Sequence, residues 1–300
     1  MIRDGIININ KPAGWTSQDV CAKLKHALHV KKAGHTGTLD PMATGVLPVC
    51  FGKATRVIEY YGNDHKSYHC CMKLGIETDT LDITGKVLRT GNYAEVSEKA
   101  VREAFKAFDG VIEQTPPKYS ALMIDGKRAY DLARAGKDFE IKPRKVTIYD
   151  IAATKIDLEN GELEFDVTCS KGTYIRTICD DIGRALGCGA AMTALTRTGS
   201  GFFKIEDSNT IEEVIKAADD PEKLTKMIIE PEITLEKLGK TILNNNRVTA
   251  FMNGNSTWSN GFTVTEPSDY DEMYRVYADG DFLGVASIEN GSLIPKKVFR

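Results

Sequence analysis

Gly34-His35-Thr36-Gly37-Thr38-Leu39-Asp40-Pro41-Met42-Ala43-Thr44-Gly45-Val46-Leu47-Pro48 is the run from which the rest of this chain can be read. Three glycines and two prolines in fifteen residues exclude a helix or an uninterrupted strand. The run predicts a shaped loop that ends in a short apolar strand, Val46 to Phe51. Pro41 biases Asp40 away from helical angles and toward an extended backbone, so the carboxylate is held out in a fixed direction. Two readings of Asp40 follow from local chemistry. It can cap neighbouring N–H groups in an Asx turn, or serve as a nucleophile, general base or metal ligand.

The sequence upstream of the loop is basic. Val20 to Leu39 carries Lys23, Lys25, Lys31, Lys32 and three histidines with no acid, which suits a surface that meets phosphates, although a single charge run is often only a solvated face. Ile6–Asn10 reads as a strand, and Asn10-Lys11-Pro12-Ala13-Gly14-Trp15 as a turn. Thr16 or Ser17 can then cap a helix with Val20, Leu24, Ala27 and Leu28 at helical spacing. Lys11 reads either as an exposed turn lysine or as a supporting residue near the loop.

Downstream, Lys53 to Tyr61 predicts a short helix and His65 to Leu74 a strand containing Tyr68. The acid-rich turn 75–85 lacks the glycine and glutamate spacing of an EF-hand loop. Ser97 to Phe108 has helical periodicity. Gln114 to Ala121, with Lys118 and Tyr119, reads as an extended loop, and Ala129 to Ala135 as a helix. Residues 146–157 and 162–170 alternate like two strands joined at Glu159-Asn160-Gly161. After Cys169-Ser170-Lys171-Gly172-Thr173-Tyr174-Ile175-Arg176 comes a helix with Ile178, Ile182 and Leu186 on one face, closed by Gly187. Arg176 falls in its first turn, where a cation opposes the helix dipole and makes sense beside a carboxylate. Residues 208–240 read as helical, acidic and solvated. From Thr241 the pattern changes to short strands with turns at Asn253-Gly254, Asp279-Gly280 and Asn290-Gly291.

The Gly34–Pro48 run closely resembles the catalytic motif of the TruB family of tRNA pseudouridine synthases, with Asp40 at the nucleophile's position. Asn-Lys-Pro followed by Gly-Trp-Thr-Ser is similar to that family's opening motif. Lys66-Ser67-Tyr68, Leu74-Gly75 and Thr78-Asp79-Thr80-Leu81-Asp82 resemble its second motif, and the segment ending in Arg176 its third. The resemblance implies a catalytic set of Asp40, Tyr68 and Arg176, with Arg176 paired to the aspartate. It implies substrate contacts from Lys11, His35, Asp82, Lys118, Tyr119, Tyr174 and Leu195; His35 would contact phosphate or fill the space a flipped base leaves. Leu195 lies in Ala194-Leu195-Thr196-Arg197-Thr198, where the family more often has Arg at the Thr196 position. The implied fold is α+β, a mixed and mainly antiparallel sheet flanked by helices over residues 1–240. A small β-rich, PUA-like RNA-binding unit would occupy 241–300.

Composition agrees with this expectation. The chain is 42% hydrophobic and 27% charged, as globular proteins are, and no apolar run approaches the roughly 20 residues of a membrane helix. Met1-Ile2-Arg3-Asp4-Gly5 leads into a strand and does not read as a signal peptide. The seven scattered cysteines include no C-x-x-C pair, which argues against a zinc site and for a reducing cytosol. Net charge is −3, but residues 206–300 hold ten Lys/Arg against seventeen Asp/Glu, leaving 29 against 25 for residues 1–205. Neither a P-loop nor a dinucleotide fingerprint is present. Pseudouridine formation needs no redox partner or energy donor, so no cofactor and no metal are expected. By resemblance the substrate is uridine-55 in the tRNA T arm, and the enzyme a stand-alone cytoplasmic monomer. Two other classes remain: a nucleoside or glycoside hydrolase pairing Asp40 with a second carboxylate such as Asp82, and a non-catalytic RNA-binding module.

Overall fold

A computed structural model describes residues 4–63 and 65–299; Met1 to Arg3 of the leader reading and the terminal Arg300 lie outside it. Nine strands form the central sheet. Its main path runs Gly5–Lys11, Thr44–Phe51, Ala190–Ser200, Lys66–Leu74, Glu162–Cys169, Arg144–Asp157 and Gly110–Gln114. Ala33–His35 is added on Thr44–Phe51, and Phe203–Lys204 on Ala190–Ser200. Every pairing is antiparallel except one: Thr44–Phe51 meets Ala190–Ser200 in parallel, at Thr196↔Thr44 and Arg197↔Gly45. The two halves of the sheet join there, immediately after the Asp40 loop. Gly45 has φ +97°, and a Cβ on it would lie 2.3 Å from the Arg197 carbonyl oxygen, so the close approach requires glycine.

The strand Lys66–Leu74 alternates strictly, with Tyr68, Cys70, Met72 and Leu74 buried and Ser67, His69, Cys71 and Lys73 on the other face. The helix Ile175–Ala185 covers the buried face with Ile178, Cys179 and Ile182. The helix Ser17–Ala27 is capped by Thr16 in a reciprocal box with Asp19, and it buries Val20, Cys21 and Leu24. Truncating such a fully buried leucine to alanine destabilises a fold by about 2–5 kcal/mol.

The short helix expected at Lys53 to Tyr61 is present, as the 3-10 helix Gly52–Asn63. Other expectations need correction. Residues 208–240 are three short pieces, Ile211–Ala217, Pro221–Met227 and the 3-10 turn Pro231–Leu235, because Pro221 and Pro231 each start a new helix. They are not simply solvated. Ile211, Val214, Ala217, Leu224 and Leu235 are buried, while the acids that gave the acidic reading sit on the outer faces. This segment returns to the first strand through bridges at Ile9↔Asn209 and Ile6↔Ile229.

A second, six-stranded sheet starts at Gly239, in the order Thr257–Trp258, Ser292–Val298, Asp281–Glu289, Met273–Ala278, Gly239–Leu243, Phe262–Glu266. Asp279-Gly280 and Asn290-Gly291 are hairpin turns with both residues at positive φ, as Asp-Gly and Asn-Gly favour. Asn253-Gly254 instead ends the short helix Val248–Met252. The two sheets share an apolar seam in which Leu235, Leu238 and Val285 pack with Ile6, Val46, Val57 and Phe203.

Candidate active site

Asp40 sits where the loop leaves the sheet. Ser17, the first residue of its helix, fixes the preceding backbone: its hydroxyl accepts from Leu39 N at 2.9 Å and reaches Leu39 O at 3.3 Å. Lys11 holds the following stretch. It is fully buried and donates to the carbonyls of Pro12 (2.9 Å), Pro41 (3.2 Å) and Ala43 (2.7 Å). With no exposed surface and its donors taken up by carbonyls, it supports the loop from beneath and is not the exposed substrate contact that the resemblance implied. Burial lowers the Lys11 ammonium to about 8, with the Asp40 charge opposing the fall and Arg197 adding to it.

The Asp40 carboxylate is gripped by both prongs of Arg176, at 2.9 Å from Nε to Oδ2 and 3.1 Å from Nη2 to Oδ1. The guanidinium is itself held, donating to Thr80 O and Tyr119 O at 3.0 Å each, with Asp82 Oδ2 3.7 Å from Nη1. Asp82 is buried and accepts from Thr80 Oγ1 (2.9 Å), Thr84 N (2.9 Å) and Thr84 Oγ1 (2.5 Å). It contacts Arg176 and is not among the residues that line the pocket, a place that suits positioning the arginine. A hydrolase's second carboxylate would have to face the cleft. Arg176 and Lys11 thus balance Asp40 and Asp82. Burial raises the Asp40 carboxyl; Arg176 opposes this most, Asp82 adds to the rise, and Lys11 opposes it further.

Asp40 and Arg176 line a cavity of about 160 Å3 with Tyr68, Tyr174 and Leu195. Sites for drug-sized ligands are roughly 300–1,000 Å3, so this one is scaled to a single flat ring. Lys66, Ser120 and Ala121 complete one side. Gln114 fixes Tyr174 by accepting from its N at 2.7 Å and donating to its O at 3.1 Å, and the Arg144 guanidinium stands 5.1 Å from the Tyr174 ring centroid. Tyr119 supplies its carbonyl to Arg176, while its ring packs edge-on against Tyr130. Lys118 is exposed and pairs with Asp138 at 3.6 Å. His35 is not among the residues that line the pocket. Burial and the charges of Arg197 and Lys66 lower its imidazole pKa, which favours the neutral ring.

Arg197 was not singled out by sequence reasoning. It is fully buried, donating from Nε to Val46 O (2.7 Å) and from Nη2 to Gly37 O (3.1 Å), and its charge bears on the Tyr68 hydroxyl. Burial raises the Tyr68 hydroxyl and Arg197 opposes the rise. Period-two alternation after Leu195 was the available signal, since it places Arg197 on the same inner face.

Residues 25–175 match the TruB family pseudouridylate synthase N-terminal domain, 176–236 the tRNA pseudouridylate synthase B C-terminal domain, and 242–299 the pseudouridine synthase II TruB C-terminal region. The tRNA pseudouridine synthase B of Clostridioides difficile (strain 630) is 43% identical over 94% of each chain. That of Clostridium kluyveri is 44% identical, again over 94% of each. A crystal structure of a Cbf5-Nop10-Gar1 complex contains a similar chain, with TM-score 0.75 and 29% identity over 99% of this chain and 84% of that one. These matches run through the Asp40 loop, the Tyr68 strand and the second sheet alike, and the chain belongs to the TruB family of pseudouridine synthases.

Proposed function

We propose that this protein converts uridine-55 in the T arm of tRNA to pseudouridine, with Asp40 as nucleophile. The observation that carries this reading is the two-pronged Asp40–Arg176 pair at the floor of a cavity the size of one base. The target uridine leaves its stack at a cost of a few kcal/mol. Stacking on the Tyr68 ring returns about 1–3 kcal/mol of that. Arg176 keeps the raised carboxyl of Asp40 ionised and fixes its direction. The N1–C1′ bond breaks, the uracil turns, C5 joins C1′, and the C5 proton is released while N1 regains one. The Tyr68 hydroxyl, under the influence of Arg197, is placed to handle a proton in that exchange. Leu195 and Tyr174 wall the base, while Lys118 and Tyr119 stand at the rim toward the tRNA backbone.

In this reading residues 1–240 are the catalytic unit and residues 241–300 the RNA-binding unit, and the switch to the second sheet at Gly239 supports that division. A cytoplasmic monomer that needs no partner or cofactor is in keeping with relatives named tRNA pseudouridine synthase B. The test is to incubate the protein with uridine-labelled tRNA transcript and assay for pseudouridine. Free uracil in place of the isomer would sink the proposal in favour of a hydrolase.

A further inference from the structure

The far side of the strand that carries Tyr68 bears a second constellation. His69 and Cys71 lie two residues apart, so they share the face opposite Tyr68 and Cys70. The antiparallel register with Glu162–Cys169 sets Glu164 directly across from Cys71 and Asp166 across from His69. One donor atom from each of His69, Cys71 and Glu164 falls within 4.8 Å of the others. His69 Nδ1 is 2.8 Å from Asp166 Oδ1, so Nδ1 carries the hydrogen and donates it. Nε2 then faces Glu164 Oε2 at 3.4 Å. That spacing matches the edge of a tetrahedron around a zinc-sized ion, given ligand bonds of about 2.0–2.1 Å.

We infer that His69, Cys71 and Glu164 form a binding site for a Zn2+-class divalent ion, with Asp166 orienting His69 from behind. The geometry asks for a cation at this point. The Nε2 lone pair and a carboxylate oxygen converge, and they attract only when a proton or a metal stands between them. A proton would satisfy two of these groups, whereas a metal also engages the sulfur. The mixed nitrogen, sulfur and oxygen set suits borderline-soft Zn2+ or Co2+, not Mg2+ or Ca2+. Three protein ligands leave one position for water. A carboxylate behind the histidine is the usual support of a zinc-bound imidazole. Binding follows M2+ + Cys71–SH → [M–S–Cys71]+ + H+. The resulting thiolate, Glu164 and Asp166 are balanced by the dication and by Lys155, whose Nζ is 3.3 Å from Glu164. The sequence expectation of no zinc site rested on the lack of a C-x-x-C pair, which says nothing about donors brought together across two strands. The site faces away from the pocket, so the ion would clamp two strands and take no part in the chemistry at Asp40; the inference does not depend on the proposed reaction.

The test is a Co2+ titration of the full chain after chelator treatment under reducing conditions. One equivalent should bring up the visible bands of four-coordinate cobalt and a thiolate-to-cobalt charge-transfer band, both removed by Zn2+. Cys71→Ser should abolish the charge-transfer band while its circular dichroism stays that of the wild type. Asp166→Asn should keep the band but weaken binding about 10- to 100-fold. Zn2+ should raise the melting temperature of wild type and not of Cys71→Ser. No charge-transfer band at saturating cobalt, or a band that survives Cys71→Ser, overturns the inference.

Discussion

Arg197 and Tyr68 are cross-strand partners on the buried face of the central sheet, and the guanidinium of one bears on the hydroxyl of the other. If that contact tunes a proton transfer, the two residues act as a unit. Tyr68→Phe and Arg197→Met should each slow turnover by about 10²- to 10⁴-fold, the range of one general acid or base. The double variant should be little worse than either alone. Single-turnover rates on saturating tRNA measure this, and fully additive losses would separate the two roles.

Asp40→Asn preserves size and turn capacity while removing the charge. Turnover should fall by about four to six orders of magnitude, as when a covalent nucleophile is lost. Affinity for tRNA, which rests mainly on backbone contacts, should hold. A carefully purified variant with appreciable turnover would take the nucleophile's role from Asp40.

Arg176→Lys keeps a cation and loses the fork. Five oxygens converge on this guanidinium, two from Asp40 and one each from Asp82, Thr80 and Tyr119, and an ammonium cannot reach them in the same plane. Turnover should drop by about 10- to 100-fold with tRNA binding kept. Arg176→Ala should also destabilise the fold by about 3–5 kcal/mol, because two carboxylates lose their common partner. Chemical denaturation and rate measurements read the two effects separately.

The pH profile should be bell-shaped. Asp40 is active when ionised and its carboxyl is raised, so the acid limb should lie above the ordinary 3.8. Lys11, lowered to about 8, loses its charge above that pH, and with it one N–H bond to the loop and an attraction that keeps Asp40 ionised. Its effect on stability runs the other way. The unfolded chain holds the Lys11 proton up to its ordinary 10.5, so stability should rise as pH climbs from 8 toward 10.5 while activity falls. A rate that stays flat well above pH 8 would exclude Lys11 as the alkaline group.

Ser17→Ala removes the tether on Leu39 without touching the pocket. Stability should fall by about 1 kcal/mol, the ordinary worth of such a bond, and turnover should fall with it as Asp40 loses its fixed approach. Unchanged turnover would mean that Arg176 alone sets the carboxylate.

Local pattern carried much of this architecture. The alternation of Lys66–Leu74, the capped start at Thr16 and the Asn160-Gly161 turn all depend on near neighbours. The meeting of Asp40, Tyr68 and Arg176 could be anticipated only because long motifs resemble a family. The errors share a cause. Lys11 next to Pro12 reads equally as a surface turn lysine or as a support near the loop, and nothing nearby decides between them until carbonyls thirty residues on enclose it. Asp82 reads as one of several turn acids until Arg176 arrives from the far half of the chain. In residues 208–240 the acids dominate composition, while the buried Ile211, Val214 and Leu224 are too few per helix for a clear period.

The strand Gly5–Lys11 precedes the other strands of its sheet in sequence, yet its second edge is completed only by residues near 209 and 229. One edge takes Thr44–Phe51 early, but the other waits for Asn209 and Ile229. At about 5–20 residues per second of synthesis, that edge stays open on the ribosome for on the order of ten seconds or more. During that interval the amides of Ile6 and Asn10 lack their later partners, and the pocket still lacks Arg176, Leu195 and the supporting Arg197. An open strand edge beside apolar side chains is a template for pairing with another chain, so the fold is most exposed to misassociation until residue 229 has arrived.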